Sequence, residues 1–159
     1  MSLVVRPAGA GDVDACVGVL VALPGYFTPD THATVAVAMG RGEHTLVAES
    51  GGTIVGFVLV ERRHPRAAEI TFAAVLGPFQ GRGIGRALVD EAMAELAADG
   101  VVVVLVKTLD ASADYEPYVA TRAFWEHRGF VQVDTIDPLP GWQPGNPAAI
   151  YVAALDATR

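Results

Sequence analysis

A single domain of mixed α and β structure, with a central twisted mixed β-sheet of about six to seven strands flanked by about four helices, is the fold class this sequence predicts. Three observations carry that expectation. The chain has 159 residues, which fits one domain with a single core spanning residues 1 to 159 and needs no second. Apolar runs of strand length alternate with stretches of helical period along the whole sequence. At its centre, an extended apolar run over residues 70 to 76, a helix-like pattern ending near Asp99 and a β-branched run over residues 101 to 109 make a strand, helix, strand unit.

Residues 3 to 6 read as a first strand, and Gly11-Asp12 opens a helix that runs to about Leu23, where Pro24-Gly25 stops it. Thr28-Pro29-Asp30 starts the next helix with a threonine cap and a proline in the first turn, and Gly40 closes it. Residues 44 to 49 and 53 to 62 are β-rich and joined by Ser50-Gly51-Gly52, a hairpin signature. After the basic turn 62 to 66, a strand over residues 68 to 76 leads into a helix over about 84 to 99. That helix carries Leu88, Val89, Ala92, Met93 and Leu96 on one arc, the face expected against the sheet. Gly100 ends it. The run from Val101 is expected to be a strand buried on both faces and parallel to the one before the helix. A helix over 117 to 127, strands near 131 to 136 and 148 to 155, and a Pro/Gly-rich loop over 137 to 147 complete the chain.

Composition narrows the function classes. Hydrophobic residues make up 52% and charged residues 18%, which excludes general disorder, and no apolar run reaches the roughly 18 residues a membrane span needs. The first residues lack a basic segment followed by a long apolar core, so a cytoplasmic location is expected. A net charge of −7 argues against nucleic acid and suits a cationic partner. The lone Cys16 lies in an apolar helical pattern and reads as packing. His32, His44, His64 and His127 have no metal-ligand spacing, and no metal site is expected.

Chemistry concentrates at Gln80-Gly81-Arg82-Gly83-Ile84-Gly85-Arg86, between strand and helix. Three glycines in five residues keep side chains away, so that successive N–H groups at a helix start can converge on an anion. The helix dipole favours negative charge there, and Arg82 and Arg86 add positive charge. A tight turn alone would not place glycines in the helix start, where each costs up to about 1 kcal/mol relative to alanine. No lysine is near, which disfavours a Walker loop, and the third glycine of a dinucleotide fingerprint is missing.

With the preceding strand and Val75-Leu76-Gly77-Pro78, this turn resembles the acyl-CoA signature of the GNAT superfamily of N-acyltransferases. Residues 121 to 130, TRAFWEHRGF, are similar to that family's second motif, an aromatic helix ending in Gly-Phe. The resemblance covers about residues 46 to 130. It implies transfer of an acetyl group from acetyl-CoA to a primary amine, by direct attack in a ternary complex, with the diphosphate on residues 80 to 86. It also implies a pantetheine arm paired to the backbone of Ala73, Ala74 and Val75. Glu69, which on strict alternation shares a face with Thr71 and Ala73, is the candidate base; His127 is a second. The family's acid is a tyrosine at the position held here by Trp125, and indole has no acidic proton to give. Trp125 then becomes a cofactor contact, and Tyr118 is the candidate acid or a CoA contact, with Tyr115 behind it. Tyr26 and Phe27, in the loop between the first two helices, are candidate acceptor-pocket walls or packing residues. The acceptor, a small-molecule or peptide amine, is not specified, and exposed sheet edges suit a homodimer. A CoA-binding module without catalysis, or an interaction domain on the same fold, is the alternative.

Overall fold

The computed structural model describes residues 2 to 156, which form one seven-stranded sheet with four α-helices. In chain order these are β1 (Leu3–Pro7), α1 (Val13–Val21), α2 (Pro29–Gly40), β2 (Thr45–Ser50), β3 (Thr53–His64), β4 (Ala67–Val75), α3 (Ile84–Ala98), β5 (Val103–Leu109), α4 (Pro117–His127), β6 (Val131–Ile136) and β7 (Ala148–Ala154). The sheet runs β1-β2-β3-β4-β5-β7-β6 and is antiparallel throughout except where β4 meets β5.

Two apolar layers sandwich the sheet. On one face, Ile84, Leu88, Val89, Ala92 and Leu96 of α3 pack on Val58, Ala68, Ile70, Val104 and Tyr151, with Trp125 and Phe130 closing the layer beside α4. On the other face α1 and α2 cover Val47, Phe57, Leu59 and Ala74 with Cys16, Leu20 and Val35. Gly56 is what lets the sheet come this close to α3: a Cβ there would sit 2.9 Å from the Ala74 carbonyl and 3.4 Å from Leu88. Burial pushes the Cys16 thiol up to about 12, so it is packing and not a nucleophile.

One expectation about the strands changes, and the parallel pairing of β4 with β5 holds over a short stretch. β5 is not buried on both faces: its burial alternates, with Val104, Val106 and Thr108 covered and Val103, Leu105, Lys107 and Leu109 partly open, because α1 and α2 cover the other half of the sheet. Only Ala67, Ala68 and Glu69 pair with Val103, Val104 and Leu105, and beyond that point β4 and β5 separate. The result is a wedge with its apex at Glu69 and its mouth toward Val75 and Leu109.

Candidate functional site

The wedge exposes main chain on both walls. The Leu76 N–H bonds the Val55 carbonyl at 2.8 Å across β3. Antiparallel alternation then turns the amides of Ala74 and Phe72 toward β3, and those of Ala73 and Val75 toward the wedge. On the other wall Asp110 N–H bonds Pro147 O at 2.9 Å, so Thr108 and Val106 pair with β7 while Lys107 and Leu109 face the opening. Two wedge-facing carbonyls already have donors: Gln80 Nε2 reaches Val75 O at 2.8 Å, and Arg122 reaches Leu109 O at 2.9 Å. Of the three residues expected to pair with an extended ligand, Ala73 and Val75 are thus turned to do so. Ala74 is engaged with Phe57.

At the lip of the wedge stands the glycine turn. Gly81 and Gly83 have φ of +74° and +82°, and Gly83 caps α3 in the left-handed region that only glycine adopts without strain. Ile84 buries its side chain in the core and fixes the turn from below. The N–H groups of residues 81 to 86 donate to no described residue; the first bond of the helix is Ala87 N–H to Gly83 O at 3.0 Å. Six successive donors at the start of a fifteen-residue helix form an anion cradle. The expected run is corrected at one end, since Gln80 gives its own N–H to Gly77 O at 3.1 Å and its side chain to Val75. Gln80 therefore braces the strand end. Arg82 lies over the Phe79 ring at 5.4 Å, and Arg86 stands exposed beside Asp90 at 3.6 Å. Gly85 serves packing: a Cβ would come within 3.3 Å of Phe124, so its absence lets α4 lie against the cradle helix. The cradle fits a diphosphate, and its neighbours on β4 fit an extended amide-bearing arm.

Glu69 sits at the apex, 5% exposed. Arg63 reaches its Oε1 with Nε at 3.0 Å and an η nitrogen at 2.8 Å, and Lys107 Nζ comes to 3.4 Å of the same oxygen. The shortest approach of each of these three nitrogens is to Oε1. The face expected for Glu69 is corrected. Leu59 pairs with Phe72 and Val60 with Ile70, so Thr71 is a surplus residue, a β-bulge, whose hydroxyl bonds Leu59 O at 3.3 Å. The bulge reverses the alternation. Glu69 lies with Phe72 and Ala74 on the α1/α2 face, whereas Ala73 lies with Ile70 on the α3 face. The carboxylate and the cradle thus approach the wedge from opposite sides of the sheet.

The aromatic candidates form one cluster across the mouth. Tyr118 donates to Tyr26 O at 3.2 Å, Tyr26 donates to Pro117 O at 3.0 Å, and Tyr115 donates to Gly25 O at 2.8 Å. The Tyr118 ring lies 5.3 Å from that of Tyr26 and 5.9 Å from that of Tyr115. Burial, with Tyr115 and Tyr26 beside it, pushes the Tyr118 phenol up to about 12. Phe27 packs with Tyr26 against the α1/α2 layer, which contains Phe72 and Ala74 of β4. Trp125 is 5% exposed and makes edge contacts with Phe124 at 5.0 Å and Phe130 at 5.1 Å. It is a core residue of α4. His127 is the last residue of α4, and Arg128 follows as its cap.

Two residues of the site carry no motif and escape sequence reasoning. Lys107 is visible only as a charge inside a β-branched run, and Asp110, buried at the end of β5, only once its partners are known. Asp110 accepts from Ser112 N and Oγ at 3.0 and 2.6 Å, from Gln132 at 2.7 Å and from Thr135 at 3.2 Å, pinning the segment before α4 to β6. The Ser112 hydroxyl first, then its N–H, Gln132 and Thr135, hold the Asp110 carboxyl down to about 2. Among the described residues no group of three or more His, Cys, Asp or Glu is placed to hold a metal ion, and no helix is long and apolar enough to cross a membrane.

Comparison with known proteins gives the same architecture. The chain aligns over 98% of its length with Ard1 of Thermoplasma volcanium (TM-score 0.80, 17% identity, 99% of that chain). It covers 99% of its length on the ribosomal-protein-S18-alanine N-acetyltransferase of Escherichia coli (TM-score 0.80, 18% identity, 97% of that chain). A GNAT family acetyltransferase of Elizabethkingia anophelis, solved with acetyl-CoA bound, superposes with a TM-score of 0.73 at 17% identity, over 96% of this chain and 98% of that one. At such identities these likenesses show the fold alone. In sequence, 65 residues are 40% identical to an uncharacterised N-acetyltransferase of Chlorobaculum tepidum, spanning 41% of this chain and 42% of the relative's length. A family model for the acetyltransferase (GNAT) domain matches residues 41–132, more than half of the chain, and with the cradle at its centre the protein belongs to that family.

Proposed function

We propose that the protein transfers an acetyl group from acetyl-CoA to a primary amine, the two substrates meeting in the wedge between β4 and β5. The observation that carries this reading is the run of six unpaired main-chain N–H groups over residues 81 to 86, set beside the edge of β4 that β5 leaves uncovered beyond Glu69. The first suits a diphosphate and the second an extended amide chain. Acetyl-CoA supplies an acyl group already activated as a thioester.

The chain's own residues do the rest. The cradle fixes one end of the donor, and Ala73 and Val75 align its arm along β4. An amine of pKa about 10 arrives protonated at neutral pH and must lose a proton before it can attack. Glu69 stands on the opposite face from the cradle helix, its Oε1 engaged by Arg63 and Lys107, and takes that proton directly or through water. Arg63 and Lys107 hold the carboxylate in place. Tyr118 gives its hydroxyl hydrogen to Tyr26 O, and its raised pKa makes it a poor proton source, so a thiol of pKa about 8.5 departs without a phenol beside it. That same absence of an acid on α4 favours one second reading, a CoA-binding module that does not turn over.

A thermal shift with acetyl-CoA, followed by thiol release across a panel of amines, tests both readings. At 100 times its Kd a ligand adds about 2.7 kcal/mol of stability. Stabilisation with thiol release supports transfer, stabilisation without release for any amine supports the binding module, and no stabilisation rejects both.

A further inference from the structure

The wedge is closed at both ends. At its apex β4 and β5 are hydrogen-bonded through residues 67 to 69 and 103 to 105. At its mouth, residues 25 to 27 pack against the layer containing Phe72 and Ala74 at the end of β4. They are bonded to residues 115 to 118, which continue from the end of β5, through three phenol-to-carbonyl hydrogen bonds between residues some ninety positions apart. The leg on the β5 side is itself tied down, because Asp110 holds the start of that segment to β6. What lies between is a framed window, with β4 and β5 as its uprights, Glu69 at its sill and the tyrosines as its lintel.

We infer that Tyr26, Tyr115 and Tyr118 set the width of the acceptor, so that the enzyme takes primary amines on slender, unbranched chains and discriminates against amines on branched or ring carbons. The inference rests on the transfer reading above. An open wedge could widen to admit a bulky amine by moving the loop before α2 away from α4. A wedge tied by three hydrogen bonds and the contact of the Tyr26 and Tyr118 rings cannot do so without breaking them. The cradle at the start of α3 belongs to the layer opposite Tyr26 and Phe27, so this limit falls on the acceptor.

The test measures thiol release from acetyl-CoA with n-butylamine and with cyclohexylamine, in the wild type, in Tyr115→Ala and in Tyr115→Ala/Tyr118→Ala, with melting temperature followed in parallel. The wild type is expected to favour the linear amine in kcat/KM by about tenfold or more, within the range that pocket shape alone achieves. The ratio should fall in the single variant and fall further in the double, through a rise for the cyclic amine. A merely structural role would lower both rates together and leave the ratio unchanged, and that result overturns the inference. Equal rates for the two amines in the wild type overturn it as well, even if the double variant fails to fold, while leaving acyl transfer standing. No thiol release with either amine, or with any other amine of the panel, sinks transfer and the width limit together.

Discussion

The lip and the lintel of the wedge are built in opposite ways. The lip, residues 81 to 86, is main chain with its hydrogen-bonding valences open, and its glycines leave nothing in the way. The lintel is three tyrosines whose hydroxyls are all satisfied by carbonyls within the protein. A donor that is the same molecule in every turnover suits the first construction, a geometry fixed by backbone. A feature that sets selectivity suits the second, because side chains can be exchanged without disturbing the sheet.

The largest effect that would break this contrast is expected at the lip. Gly83→Glu puts a carboxylate at the cradle and forces a side chain into a conformation costing about 1–2 kcal/mol. Calorimetry should show acetyl-CoA affinity reduced at least about a hundredfold, or about 2.7 kcal/mol; unchanged affinity would place the donor elsewhere. At the sill, Glu69→Gln should leave that affinity within about threefold while lowering kcat about a hundredfold, as expected for loss of a general base. A wild-type kcat in this variant would remove Glu69 from the chemistry.

The cradle was legible in the sequence because it is made of glycine spacing, and glycine spacing is itself the physical cause of open amides. The secondary structure was legible for a similar reason: α4 occupies residues 117 to 127 and β6 residues 131 to 136, as read from period and turn residues. Contacts between distant segments were not. Nothing near Tyr118 announces that its hydroxyl faces Tyr26, and nothing near Thr71 announces a bulge, since both depend on what the neighbouring segment brings alongside. The same holds for Trp125, whose motif position suggests a cofactor contact while its rings meet Phe124 and Phe130 in the core.

Two smaller effects sharpen the picture. Asp110 has a folded pKa near 2, below its ordinary value of about 3.9, so its contribution to stability is full above that ordinary value and is lost as pH falls through the folded one. Melting temperature should therefore drop between about pH 4 and 2 in the wild type. Asp110→Asn should be less stable at neutral pH and show a smaller drop; equal acid sensitivity in both would show that the leg of the lintel is held by other groups. Smallest of all, Trp125→Tyr should change kcat by less than about threefold, because the ring at this position packs against Phe124 and Phe130 in the core. A large loss of kcat at unchanged melting temperature would mean that the indole works in the wedge after all.

The surplus residue at Thr71 has one more consequence. A regular strand can address one layer with its odd positions and the other with its even ones, and nothing else. By slipping the phase midway, β4 sends a carboxylate to one face of the sheet near its start and, four residues later, the side chain of Ala73 to the other, where an unbroken strand would have kept both on one face. On the acetyl-transfer reading proposed above, one strand would thereby confront two reactants from opposite faces of the sheet.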